Sequence, residues 1–224
     1  MGTEMTAATS SDAARAEILR RIRVAKGGTS DAAAAGIAWA HVAREYRRNP
    51  VLELEAVLEL LEDRLRDYDA HVMRVGHGDV ADAVATMLTA REKHRMVVPM
   101  GIASEWLPVG FKFVADEGMT PVELDGFDGV MTSSTVAIAE TGTVVLQHLP
   151  GQGRRAVTLV PDYHLCIVNA VDVVETVPQA MDRLRGTAEL ATTFFSGPSA
   201  TADIEMTRIK GVHGPRHLDV ILVL

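Results

Sequence analysis

Apolar residues recur at steps of three and four through residues 51–67, where Val51, Leu54, Leu58, Leu61 and Leu65 share one face of a predicted helix. Two heptads are too few for a coiled-coil seam, so the stripe is expected to dock on a core. Upstream, Ile18, Leu19 and Ile22 mark a helix over residues 13–26, broken by Gly27-Gly28. Ser30-Asp31 can cap a second helix over residues 32–48, ended near Pro50. Residues 1–12 are small and polar and read as a disordered tail.

From about residue 69 the rhythm changes. Strands are expected at 71–75, 95–100, 111–115, 129–132, 143–147, 164–169, 192–195 and 218–224. Helical pieces fall between them at 80–92, 102–106, 153–159, 178–184 and 202–209. This alternation predicts an α/β fold with a mostly parallel sheet flanked by helices. The chain is thus divided into a tail (1–12), a helical N-terminal part (13–68) and an α/β body (69–224).

Composition narrows the function classes. With 224 residues, 47% of them hydrophobic and 23% charged, the chain can bury a sizeable core. A net charge of −8 argues against a nonspecific nucleic-acid binder, which needs a basic face. Apolar runs such as 144–146 and 220–224 are too short to span a bilayer. The amino-terminal stretch has no apolar segment of the secretory kind, so the cytoplasm is the expected location. The single cysteine, Cys166, cannot form an internal disulfide or hold an iron–sulfur cluster alone, and reads as a small buried hydrophobe. The histidines are scattered without zinc spacing, so no metal and no cofactor are assigned.

In open α/β sheets ligands gather at the carboxyl ends of strands, and three loops are expected to meet there in one cleft. The first, 133–143, carries Glu140 on a turn with Thr141, Gly142 and Thr143, close to Thr132, Ser133, Ser134 and Thr135. A carboxylate so presented can serve as base, nucleophile or ligand; alone, the triplet would read as a solvated turn. The second, 150–155, reads PGQGRR: Arg154 and Arg155 could bind a carboxylate or phosphate, although a solvated basic turn fits equally well. The third runs from Ser196, Gly197, Ser199 and Thr201 through Asp203 and Glu205 to His213 and His217. Helix capping accounts for Ser199, Thr201 and Asp203 without any ligand. It does not account for His213, which sits on a glycine-proline turn and is read as a donor or acid/base group. The candidate catalytic residues are therefore Glu140, His213 and Asp203. Thr141, Gly142, Thr143, Arg154, Arg155, Ser196, Gly197, Ser199 and Thr201 are the candidate binding residues for a small carboxylate or other anion.

The strings AIAETGTVVL (137–146), GQGRRAVTLVPDYHLCIV (151–168), SGPSATADIE (196–205) and GVHGPRHLDVIL (211–222), in this order, resemble the LUD-domain family, as does AEILRRIRVA (16–25). The resemblance covers nearly the whole chain; Ala200 stands where related sequences often carry a basic residue. It implies a NagB/RpiA/CoA-transferase-like fold. It also implies a part in oxidising L-lactate to pyruvate in a three-component system, with two companion proteins of which at least one carries iron–sulfur clusters. On that reading this chain is the component without a cluster. The alternatives are a free-standing enzyme on the same fold, acting on a phosphorylated or acyl-CoA-like anion with Glu140 as base or nucleophile, and a non-catalytic regulatory or scaffolding module.

Overall fold

A computed structural model describes residues 4–27, 31–201, 209–211 and 214–224. The chain forms two units, Met1–Tyr46 and Arg47–Leu224. In the first, α1 (Glu4–Ala25) begins well before the expected residue 13, and Ile18, Leu19 and Ile22 are exposed on it. The second helix, α2 (Ala32–Ala40), starts as expected, with Asp31 accepting from the Ala33 N–H at 2.9 Å, but ends at His41 rather than near residue 48.

Of the expected stripe, Leu58, Leu61 and Leu65 dock from α3 (Leu54–Asp67), which belongs to the larger unit, whereas Val51 precedes the helix and both it and Leu54 are exposed. The helix buries Val57, Leu58, Leu61 and Leu65. The strands of that unit are β1 (His71–Val75), β2 (Arg95–Val98), β3 (Lys112–Ala115), β4 (Gly129–Thr132), β5 (Val136–Ile138), β6 (Thr143–Gln147), β7 (Tyr163–Asn169), β8 (Val173–Val174), β9 (Thr192–Phe195), β10 (Ala200–Thr201), β11 (Ile209–Lys210) and β12 (His217–Val223). Six of them form one all-parallel sheet in the order β1-β12-β7-β4-β2-β3. A second sheet, β8-β5-β6-β9, is parallel only between β5 and β8. The remaining two, β10 and β11, pair antiparallel.

Alternation along the parallel strands sends side chains to two faces. One face, with Met96, Met131, Leu165, Ile167 and Ile221, is covered by α4 (Val80–Ala90) through Val84, Met87 and Leu88. The other, with Cys166, Val168, Val220 and Leu222, packs on α3 and on Ala137, Val144 and Leu146 of the second sheet. The far side of that second sheet, Val136, Ile138 and Val145, is closed by Ala180 and Leu184 of α6 (Val177–Leu184). Residues 143–147 and 192–195 are strands, as their pattern predicts, but they belong to the smaller sheet. A short helix, α5 (Pro121–Asp125), opens with a capping box between Thr120 and Glu123. Residues 153–159 form turns instead of the expected helix, and 202–208 lie outside the described residues. Among the described residues no helix is long and apolar enough to cross a membrane.

Candidate functional site

Because β7 runs parallel to β4, the chain leaving β6 must cross a sheet face before β7 can begin. That crossing carries Arg154, Arg155 and Thr158, and it roofs a cavity of about 240 Å³ at the amino ends of β7 and β12. The floor is His164, paired in register with Leu218 of β12. Phe195, Ser196, Gly197 and Ser199 form a wall as β9 turns towards β10, and Gly214 and Pro215 complete the lining.

Polar groups beneath the cavity are linked in a chain. His164 Nε2 lies 2.8 Å from Thr132 Oγ1, which donates to Cys166 Sγ at 3.7 Å. The thiol in turn donates to the Ser133 carbonyl at 3.9 Å. The Thr132 hydroxyl thus lies between the His164 ring and the Cys166 thiol. Burial pushes the His164 pKa down to about 3, assisted by the Arg155 charge, and the ring is neutral at physiological pH. Burial also raises the Cys166 thiol to about 12, which leaves it unreactive. The Phe195 ring packs on His164 with centroids 5.2 Å apart.

The two arginines of PGQGRR have separate surroundings. Arg154 donates to both oxygens of Asp116, at 2.8 and 2.9 Å, and also to the Met119 carbonyl. Asp116 follows β3, its side chain is only 6% exposed, and it accepts from the Met119 N–H at 3.0 Å. The Arg154 guanidinium, opposed by burial and helped by the Met119 N–H, holds the Asp116 carboxyl below its ordinary range. This pair borders a wider cavity of about 580 Å³ at the carboxyl ends of β2 and β3, beside Pro99, Met100 and His148. Arg155, by contrast, lines the smaller cavity and donates to Thr158 Oγ1 at 3.3 Å. It has no carboxylate partner among the described residues.

Glu140 occupies a third place. It pairs with Arg47, which also reaches Glu175. Glu175 accepts from the Val51 and Leu52 N–H groups at 2.6 and 3.0 Å. Burial pushes the Glu175 carboxyl up, but Arg47 and the two N–H groups outweigh it and hold the pKa below the usual range. The side chain of Glu140 does not line the cavity. A hydroxyl chain runs from its turn to the cavity wall: Thr141 Oγ1 to Thr143 Oγ1 at 2.7 Å, and Thr143 Oγ1 to Ser196 Oγ at 2.7 Å. Gly142 (φ +57°) lies against the end of α3, where an added Cβ would be 2.8 Å from that of Arg64. Gly197 (φ +76°) meets Tyr68, the residue that closes the same helix, and a Cβ there would collide with it.

The expected single cleft is thus divided among the described residues. Arg155, Ser196, Gly197 and Ser199 line one cavity, Arg154 turns to another, and Glu140 sits with Arg47. The Ser199 backbone is fixed by its N–H to the Pro215 carbonyl and by its own carbonyl to the Gly211 N–H, at 2.8 and 2.9 Å. Thr201 is placed by its backbone in β10, whereas Asp203, Glu205 and His213 lie outside the described residues. Sequence reasoning missed His164. Its signal was available: His164 and Cys166 alternate in an otherwise apolar strand, so both point to one face.

The LUD domain family matches residues 1–223. Lactate utilization protein C of Deinococcus radiodurans is 42% identical over 170 residues, covering 75% of this chain and 79% of that protein. The protein of the same name from Bacillus velezensis is 26% identical over 201 residues, with 80% and 83% covered. That from Bacillus subtilis is 36% identical over 127 residues, with 54% and 52% covered. A crystal structure of a DUF162 family protein from Deinococcus radiodurans matches with a TM-score of 0.69 at 35% identity, over 78% of this chain and 100% of that one. With its family match running almost end to end, the chain belongs to the LUD domain family.

Proposed function

We propose that this chain is the cluster-free component of an L-lactate utilization system, acting with two companion proteins in the oxidation of L-lactate to pyruvate. At least one companion carries iron–sulfur clusters. The observation that carries this reading is the 42% identity to lactate utilization protein C of Deinococcus radiodurans over three quarters of the chain. A second observation supports the division of labour: Cys166 is fully buried, with its thiol directed to the Ser133 carbonyl, an arrangement that offers no thiolate to a cluster.

The test has two arms. Deleting the gene is expected to abolish growth on L-lactate and spare growth on pyruvate. Lactate-dependent dye reduction by the purified companions is expected to require this chain. Undiminished lactate growth of the deletion strain, with full dye reduction by the companions alone, would overturn the reading.

A further inference from the structure

The second helix of the first unit is apolar on every side. It reads AAAAGIAWA, without a charged or hydroxyl-bearing residue, and buries none of its side chains. A helix apolar all round belongs inside a core or a bilayer. Here Ile37 is 62% exposed and Trp39 71%, and the chain that follows leaves Val42 and Tyr46 exposed as well. With nine residues α2 is about 14 Å long, less than half of the roughly 30 Å hydrocarbon thickness, so it cannot span a bilayer. It can lie within the interface.

The shape of the uncovered surface selects the kind of cover. A protein surface, including that of a second copy, covers one side of a helix and leaves the other in water. Because α2 has no polar side, such docking would still leave apolar residues exposed. The boundary between headgroups and acyl chains surrounds a helix of this width. Trp39 and Tyr46 are residue types enriched at that boundary, which accommodates both an apolar ring and its polar tip. The Arg44 guanidinium lies 4.6 Å from the centre of the Trp39 ring and donates to the Trp39 and Val42 carbonyls at 3.0 and 2.9 Å. A cation is thereby held beside the indole, where a snorkelling arginine meets lipid phosphates.

Charge completes the match. The chain as a whole is acidic, at −8, yet residues 15–26 hold five cations, Arg15, Arg20, Arg21, Arg23 and Lys26, against one carboxylate, Glu17. Glu17 accepts from Arg20 and Arg21 on the side of α1 turned away from Ile18 and Ile22. Arg15, Arg23 and Lys26 have no carboxylate partner among the described residues, and Ile18, Leu19 and Ile22 are exposed near them. A basic helix with an exposed apolar stripe is drawn to an anionic surface.

We propose that the first unit is an interfacial anchor that binds this protein reversibly to anionic phospholipid membranes, with α2 immersed at the headgroup boundary and the cations of residues 15–26 on lipid phosphates.

Flotation of the full chain with vesicles of phosphatidylcholine, with and without phosphatidylglycerol, tests the proposal. Uptake is expected on the anionic vesicles only and should fall as salt rises. Replacing Arg15, Arg23 and Lys26 together by Gln should weaken it by about a hundredfold, at about fivefold for each cation near an anionic surface. Trp39→Asp should weaken it by about tenfold or more. Neither change removes a buried side chain, so both thermal midpoints should hold. Val109→Asp, on a fully exposed side chain of the larger unit, should leave uptake unchanged. In a Trp106→Phe background, Trp39 emission should move to shorter wavelength on anionic vesicles.

No uptake by anionic vesicles would overturn the proposal, as would equal uptake by phosphatidylcholine alone or uptake untouched by Trp39→Asp. A dimer in lipid-free solution that Trp39→Asp dissociates, with no vesicle uptake, would make a second copy the cover and end the membrane reading. The anchor and the function proposed above can fail separately. Uptake by a chain whose deletion spares lactate growth supports the anchor and overturns the function; no uptake by a chain that lactate growth needs does the reverse.

Discussion

Arg154 and Arg155 are adjacent in sequence and differ in nearly everything else. Arg154 turns to the carboxyl ends of β2 and β3, where both Asp116 oxygens and the Met119 carbonyl hold it. Arg155 turns to the cavity at the amino ends of β7 and β12, where one long hydrogen bond to Thr158 is its only partner among the described residues. A guanidinium whose fork is filled by a buried carboxylate fastens a loop. One facing a cavity without such a partner can receive an anion. What separates them is Asp116, thirty-eight residues upstream of Arg154.

Among the substitutions, the largest expected loss of stability falls on the fastened side. Arg154→Gln should lower stability by about 2 kcal/mol, because it leaves the buried Asp116 carboxylate without its charged donor. Urea denaturation measures the loss. Unchanged stability would mean that Arg154 is no strut.

A graded effect separates the two regions by pH without any substitution. The folded-state pKa of His164 is depressed to about 3, against about 6.5 in the unfolded chain. Its contribution is complete above about 6.5, where neither state binds the proton. As pH falls below that value, the unfolded chain takes up a proton that the native chain refuses. Stability should then decline by up to about 1.4 kcal/mol per pH unit towards pH 3. Asp116 also loses stability in acid, because its folded pKa is lowered, but only below the ordinary carboxylate range near 4. Urea midpoints at pH 7, 6 and 5 therefore report on His164, together with His217, whose pKa burial also lowers, and not on Asp116. A His164→Asn variant with the same slope would assign the proton elsewhere.

The smallest expected stability change belongs to Arg155→Gln, about half a kcal/mol or less, since it removes no buried pair. A large drop in its urea midpoint would make Arg155 structural and erase the contrast with its neighbour.

Much of this architecture was legible from periodicity. The stripe of α3 and the runs of β1, β7 and β12 each carry a pattern long enough to declare itself. The division into two sheets was not legible, because nothing within residues 143–147 says which partner strand they meet; that is decided by long-range pairing with β5 and β9. With only three residues, Val136–Ile138 showed no alternation to read. The turns at 153–159 had apolar spacing suited to a helix, but Gly153 at φ +73° breaks the approach and Val157 is anchored separately against Val97 and Val130. For the site, the glycine-flanked polar residues drew attention to loops of which two contribute to the lining of the smaller cavity. The direction of each side chain, Arg154 away and Arg155 inward, depends on contacts far along the chain. His164 was hidden for the opposite reason, since it lies in a strand that looks like core.

The glycines at 142 and 197 are both fitted to the end of α3, one against Arg64 and the other against Tyr68. The turn bearing Glu140 and the wall bearing Ser196 are thereby measured from the same datum, though more than fifty residues separate them. A side chain at either glycine would meet the helix end and would also strain a backbone held at positive φ, so two independent constraints bear on each position. Moving the helix end alone would release neither position.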